Sequence, residues 1–219
     1  MGSCLSQPTQ TSQAITTPSG TSGGTSKSPF YKILPKGSEK LAVRNVYDGD
    51  TLTLTKDEQR VRLVGIDTPE MKPPQPFAEE AKQYTKSRCH KKDIWILSTG
   101  KDHYGRLLAH IFVEEGSNYL CINEGLVQQG LAYAYIPDRN DKPFNWEKLL
   151  DFQQDARNAK RGVWQHFKDI DVFKTTNGAA YHQRSCQHLQ NIRNLQGLKV
   201  SAAADLGLHP CRTCMAEAY

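Results

Sequence analysis

The chain has 219 residues, 37% of them hydrophobic, and a mean hydropathy of −0.63. That is enough apolar material for one core of ordinary size and a small second unit, and no apolar run reaches the length of a membrane span. Lys and Arg number 28 against 23 Asp and Glu, a net charge of +5, which is compatible with an anionic partner without demanding one.

Residues 1–29 are mainly Ser, Thr, Gln, Gly and Pro, with Lys27 as the charged side chain. Such a segment buries too little apolar surface to offset its ordering entropy, which predicts a disordered tether. Its start, Met1-Gly2-Ser3-Cys4-Leu5-Ser6, fits N-myristoylation at Gly2 with Cys4 open to a second acyl chain. The same residues fit the end of a bacterial lipoprotein signal, lipidated at Cys4, and also an ordinary polar terminus. Either lipid implies membrane attachment, and the expectation is an extracytoplasmic protein, secreted or tethered through its N-terminus.

Short β-branched or aliphatic runs then predict strands over 41–47, 51–55, 60–66, 94–97 and 107–113, separated by Gly, Asp, Asn or Lys-rich breaks. Helical spacing joins Phe77, Ala81, Tyr84 and Arg88; it recurs over 120–129, stopped by Gly130, and through Leu149, Phe152, Ala156, Ala159 and Val163. The expected class is α+β, mainly β: a five-stranded OB-fold barrel with about three helices, spanning residues 38–167.

Val46 to Glu70 carries the most chemistry. Asp48-Gly49-Asp50-Thr51 is followed by Arg62 and then by Asp67-Thr68-Pro69-Glu70. Carboxylates from separate turns suit a hard divalent cation, with Asp50 and Asp67 as the pair and the Thr68 carbonyl as a third donor. Arg62 offers the planar fork suited to a phosphate. Asp-Gly-Asp alone also reads as a plain hairpin turn. Tyr104-Gly105-Arg106, read alone, is likewise a turn with a solvated charge. Together, one carboxylate base, one cation and two arginines meet the needs of phosphodiester hydrolysis.

These segments resemble, in order and spacing, the motifs of the staphylococcal nuclease (thermonuclease) family, and the resemblance continues through Asn123-Glu124-Gly125-Leu126-Val127 and Gln129-Gly130-Leu131-Ala132 to Gly162-Val163-Trp164. It implies an OB-fold, calcium-dependent endo- and exonuclease acting on DNA and RNA. The family's catalytic arginines and glutamate carry over to Arg62, Arg106 and Glu70. Its calcium ligands carry over to Asp50, Asp67 and the Thr68 carbonyl, with Asp48 as a supporting acid near the metal. Tyr104 matches a tyrosine beside the bound nucleotide, and Tyr135 a second one, after a gap. The Met71–Phe77 loop departs from the family pattern, being shorter and richer in Pro than the family's lysine-rich loop.

The cysteines fall at 4, 89, 121, 186, 211 and 214, and their clustering at the C-terminus suits metal ligation better than a disulfide framework. His182 and Cys186 are spaced i, i+4, and His209-Pro210-Cys211-Arg212-Thr213-Cys214 ends in Cys-x-x-Cys, which predicts a zinc site of His182, Cys186, Cys211 and Cys214 in a module over 178–219. His188 is a competing ligand, and disulfides among the three cysteines are the alternative in an oxidising compartment. Cys89 and Cys121 read either as buried thiols or as a pair. The tail resembles the small zinc module of the Ada alkylation-repair protein, with His182 where that family has Cys, so methyl transfer is not implied. Arg184, Arg193, Lys199 and Arg212 favour nucleic-acid binding weakly. Two function classes follow: a nuclease cutting DNA and RNA, and a catalytically weak or inactive nucleic-acid-binding OB-fold module. No obligate protein partner is evident.

Overall fold

The computed structural model describes residues 28–136 and 144–215. The expected lipidation positions Gly2 and Cys4, and nearly all of the tether, lie outside them. Five strands close a barrel: β1 Glu39–Val46, β2 Thr51–Leu54, β3 Arg60–Leu63, β4 Asp93–Lys101 and β5 Leu107–Glu115. The order around it is β5-β3-β2-β1-β4, and β4 pairs back with β5. All neighbours are antiparallel except β3 and β5, which run parallel with Arg62 opposite Leu108. Alternation puts Leu52, Val61, Leu63, Ile94 and Ile111 inside, and closure leaves these strands few free edges. This is the expected mainly-β barrel of OB type.

The helices are α1 Ala78–Cys89, α2 Ile122–Gln128 and α3 Trp146–Asn158. Two boundaries differ from the periodicity. Leu120 and Cys121, expected to open the second helix, instead end a strand, Asn118–Cys121, that pairs with β5, with Cys121 opposite Phe112; cross-strand pairing wins there over helical spacing. The third helix starts earlier than expected and stops at Asn158, because Lys160 and Gly162 take left-handed φ values of 51° and 53° and the chain tightens into a short 3₁₀ turn at Gly162–Trp164. The run over 60–66 likewise breaks after Leu63. Gly65 turns at φ 79°, and Ile66–Asp67 pairs separately with Tyr133–Ala134.

A single buried amide ties these parts together. Asn123 of α2 accepts from Ile111 N–H at 3.0 Å and donates to Val64 O at 2.9 Å and Ala109 O at 3.2 Å. It therefore fixes α2, β5 and the turn beyond Arg62 at one point.

Beyond the barrel, Asp171–Thr175 pairs antiparallel with Leu195–Lys199. A short helix, α4 Val200–Asp205, follows. A separate apolar cluster of Val172, Tyr181, Leu189, Val200, Ala203 and Met215 sits beneath. This unit docks on α3: Gln153 donates to Ala204 O at 2.8 Å, and Arg157 pairs with Asp205 at 2.9 Å.

Replacing Asn123 by Ala strands buried backbone groups without removing apolar surface. The expected loss is about 2–4 kcal/mol of unfolding free energy, read from urea unfolding of the full chain; a loss below 0.5 kcal/mol, the range of ordinary surface changes, would contradict this role.

Candidate active site

The β1–β2 turn is shaped by its own residues. Tyr47 N–H donates to Thr51 O at 2.9 Å and Asp50 N–H to Asp48 Oδ1 at 3.1 Å. Gly49 leaves no room for a side chain, since a Cβ there would stand 2.7 Å from Thr68 Cγ2 and 2.8 Å from Ala81 Cβ. Thr85 of α1 donates to Gly49 O at 2.6 Å. This close approach brings Asp50 onto the Thr68 loop. Its Oδ2 accepts from Thr68 N–H at 2.8 Å and Thr68 Oγ1 at 2.9 Å, and its Oδ1 from Thr51 Oγ1 at 3.1 Å.

Arg62 leaves β3 between the two acids. Nη1 lies 3.1 Å from Asp50 Oδ2 and donates to Leu63 O at 2.7 Å, while Nη2 lies 2.9 Å from Asp67 Oδ1. Burial alone would weaken its hold on the proton; Asp50, Asp67 and Asp48 more than reverse that, so the buried guanidinium stays charged. Glu70 is held from both sides, its N–H donating to Gln75 Oε1 at 2.7 Å and Gln75 N–H to Glu70 O at 2.9 Å. Partial burial, above all, keeps its carboxyl above the ordinary range; Arg212 opposes this, and Asp67 and Asp50 reinforce it.

Arg106 enters from the start of β5. Asp102 accepts from its backbone N–H at 2.9 Å and from Nε at 2.7 Å, an anchor that leaves the terminal nitrogens for a ligand. Asp48, Asp50, Arg62, Asp67, Glu70, Arg106 and Tyr135 line one cleft of about 650 Å³. Tyr104 is exposed, 5.5 Å from the Arg106 guanidinium, and outside that lining. Thr68 lies buried beside Asp50.

The acids fit a hard cation. Asp48 is pushed up to about 7, by burial first and by the like charge of Asp50 second. A nearby divalent ion would favour the charged carboxylates, and the all-oxygen donor set of Asp50 and Asp67 suits a hard ion better than a softer one.

Among the described residues, His182, Cys186, Cys211 and Cys214 offer ligand atoms within 4.8 Å of one another. Cys186 Sγ lies 3.4 Å from His182 Nδ1 and 3.9 Å from Cys211 Sγ. Burial raises the Cys211 thiol, but N–H groups of Cys214 and Thr213 more than offset it and leave it below a free thiol's value. His188 turns to Thr213 Oγ1 at 2.9 Å instead. Cys89, Cys121, Cys186, Cys211 and Cys214 are all free thiols, so neither alternative set of disulfides is present.

Two cleft residues escape the barrel motifs. Arg212 pairs with Asp67 at 2.9 Å and with Glu70 at 2.6 Å, and His209 Nδ1 stands 3.5 Å from Asp67 Oδ2. Arg212 is visible in the sequence as the second residue of Cys-x-x-Cys, but nothing local says that it faces the barrel.

The family model described as "Staphylococcal nuclease homologue" matches residues 60–166. The chain is 33% identical over 132 residues to a thermonuclease of Staphylococcus hyicus, covering 57% of this chain and 75% of that one. It is 32% identical over 136 residues to a thermonuclease of Staphylococcus intermedius, covering 58% and 77%. An uncharacterized endonuclease of Escherichia coli O157:H7 is 32% identical over 125 residues, covering 56% and 74%. Barrel, cleft and these likenesses agree: the chain belongs to the staphylococcal nuclease homologue family and is a nuclease, a hydrolytic enzyme.

Proposed function

We propose that the chain is a calcium-dependent phosphodiester hydrolase acting on DNA and RNA, with endo- and exonuclease action. The observation that carries this reading is the convergence of Asp50, Arg62, Asp67, Glu70 and Arg106, from separate turns and strands, on one cleft. Asp50, Asp67 and the Thr68 carbonyl would hold the ion, and Asp48 would support it from the turn. Calcium, when bound, supplies neutralisation of charge at a nonbridging phosphate oxygen. Glu70 takes the proton from the attacking water, a role suited to a carboxyl whose affinity for protons burial has raised. Arg62 and Arg106 grip the equatorial oxygens as charge builds on them. Tyr135, in the cleft wall, and Tyr104, beside Arg106, offer faces on which a base can stack.

His182, Cys186, Cys211 and Cys214 would hold a structural zinc, leaving no ligand position open. The working division is a tether over 1–29, the nuclease barrel over 38–167 and the small metal unit over 178–219. A lipid on Gly2 or Cys4 would hold the nuclease at an extracytoplasmic membrane surface; without one it would be secreted.

The reading is tested by calcium-dependent loss of high-molecular-weight DNA on a gel. Excess chelator abolishes it, and Glu70→Gln lowers kcat by about 100- to 10,000-fold. Arg62→Lys costs about 100- to 1000-fold on single-stranded DNA, because an ammonium cannot reproduce the fork. Near-native turnover of either variant rejects the assigned role; retained DNA binding with no cleavage by the unaltered chain favours the binding-module class. The pH profile follows from Glu70. A base works deprotonated, and its pKa in the free folded protein is raised, so kcat/KM falls as the pH drops through a value above the ordinary glutamate figure of about 4.3. That acid limb vanishes in Glu70→Gln; a limb at or below the ordinary figure contradicts the assignment. For the metal unit, reduced full-length protein should carry about one zinc per chain by elemental analysis, falling well below that in His182→Ala.

A further inference from the structure

Arg212 comes from the C-terminal unit, beyond residues 60–166 that match the family model, and 145 residues away from the Asp67 carboxylate that it touches. Its placement is enforced from several sides. Ile136 N–H donates to Gly207 O at 2.9 Å, and a Cβ on Gly207, at φ 67°, would stand 2.9 Å from Ile136 Cβ. Cys211 N–H donates to Tyr181 O at 2.9 Å. The Gln153 and Arg157 contacts lock α4 to α3. Residues 211–214 are thus held against the barrel, and Arg212 is aimed into the cleft between two cysteines of the metal-ligand set.

The three cleft arginines differ in what they have left to offer. Arg62 is committed to Asp50, Asp67 and Leu63 O, and its side chain is 13% exposed. Arg106 gives Nε to Asp102 and is 29% exposed. Arg212 is 50% exposed, with one Nη 2.6 Å from Glu70 Oε1 and the other 2.9 Å from Asp67 Oδ1. A base that activates water for in-line attack must sit close to the phosphorus, so a guanidinium in hydrogen-bond contact with that base stands beside the incoming phosphate. When a cation takes over Asp67, the fork loses a partner and a phosphate oxygen can replace it at little conformational cost, because the loop behind it is already fixed.

We propose that Arg212, delivered by the C-terminal Cys/His unit, is a third phosphate-binding arginine of the nuclease cleft, so that this unit completes the active site. The proposal rests on the nuclease reading of the cleft given above. It assigns Arg212 to substrate affinity: the most exposed of the three arginines meets the phosphate first, and Arg62 and Arg106 then bear the charge of the transition state.

The test uses the full chain and its Arg212→Ala and Arg212→Lys variants. Binding is measured by calorimetry in calcium buffer with a nucleoside 3′,5′-bisphosphate, a probe that carries phosphates but no cleavable diester, and kcat and KM are measured on single-stranded DNA. Arg212→Ala should weaken bisphosphate binding about tenfold or more and raise KM by a similar factor with a smaller change in kcat, as expected for losing a charge-assisted phosphate contact. Arg212→Lys should fall between, keeping the charge and losing the fork. Unchanged affinity and KM in Arg212→Ala overturn the proposal while leaving hydrolysis intact. So does the opposite pattern, tighter calcium binding with faster turnover, which would make Arg212 a clamp on Asp67 and Glu70. If the unaltered chain binds the bisphosphate, loses that binding in Arg212→Ala and yet cuts no DNA, the hydrolytic reading fails and the phosphate contact stands.

Discussion

The largely buried guanidinium of Arg62 is the constraint from which the rest of the cleft follows. A charge taken that far out of water is tolerable when it is paired and its donors are used. Arg62 meets that condition with Asp50 on one side, Asp67 on the other and Leu63 O behind. Each partner imposes a demand on the backbone. Asp50 must come from a turn tight enough to need Gly49 beneath Thr68 and Ala81, and Asp67 must come from a strand that has left the barrel at Gly65. The two turns stand where they do because one cation requires both.

How much of this could be read from the residues depends on separation along the chain. The five barrel strands and the set of Asp50, Arg62, Asp67, Glu70 and Arg106 fall within residues 39–115; Asp50, Asp67 and Arg106 sit at strand ends that alternation and turn residues mark, Arg62 is one residue from the end of its strand, and Glu70 follows Asp67 by three. Local rules are enough for these. They fail at Leu120 and Cys121, which read as the start of a helix until the pairing of Asn118–Cys121 with β5 is known. They fail again at the end of α3, where a left-handed Lys160 ends a pattern that spacing alone would have carried to Val163.

The C-terminal unit was legible as a ligand set and illegible as a neighbour. His182, Cys186, Cys211 and Cys214 follow from spacing, and their ligand atoms do come together. Nothing in spacing says that Gln153 and Arg157, polar residues of α3, are buried because α4 covers them and satisfies their donors. These matched hydrogen bonds and the ion pair are directional, so they fix the register in which α4 sits on α3. The chain between α3 and this unit adds a paired strand, Asp171–Thr175.

A Cys-x-x-Cys loop is a suitable platform for a cleft arginine for a reason that lies in its backbone. Cys211 N–H donates to Tyr181 O and Met215 N–H to Cys211 O, both at 2.9 Å, and Cys214 Sγ accepts from Gln183 N–H at 3.3 Å, so the loop turns tightly and its two intervening side chains leave it. They leave in different directions. Thr213 meets His188 on the unit's own surface, and Arg212 reaches Asp67 and Glu70. An arginine on an ordinary surface loop would lose backbone as well as side-chain freedom each time it engaged a phosphate, at roughly 1–2 kcal/mol per residue ordered. On a loop pinned by its sulfurs and by Tyr181 O, most of that backbone cost is met on folding. The small unit can thereby place a second cation, beside Arg62, next to carboxylates that lie well over a hundred residues earlier in the chain.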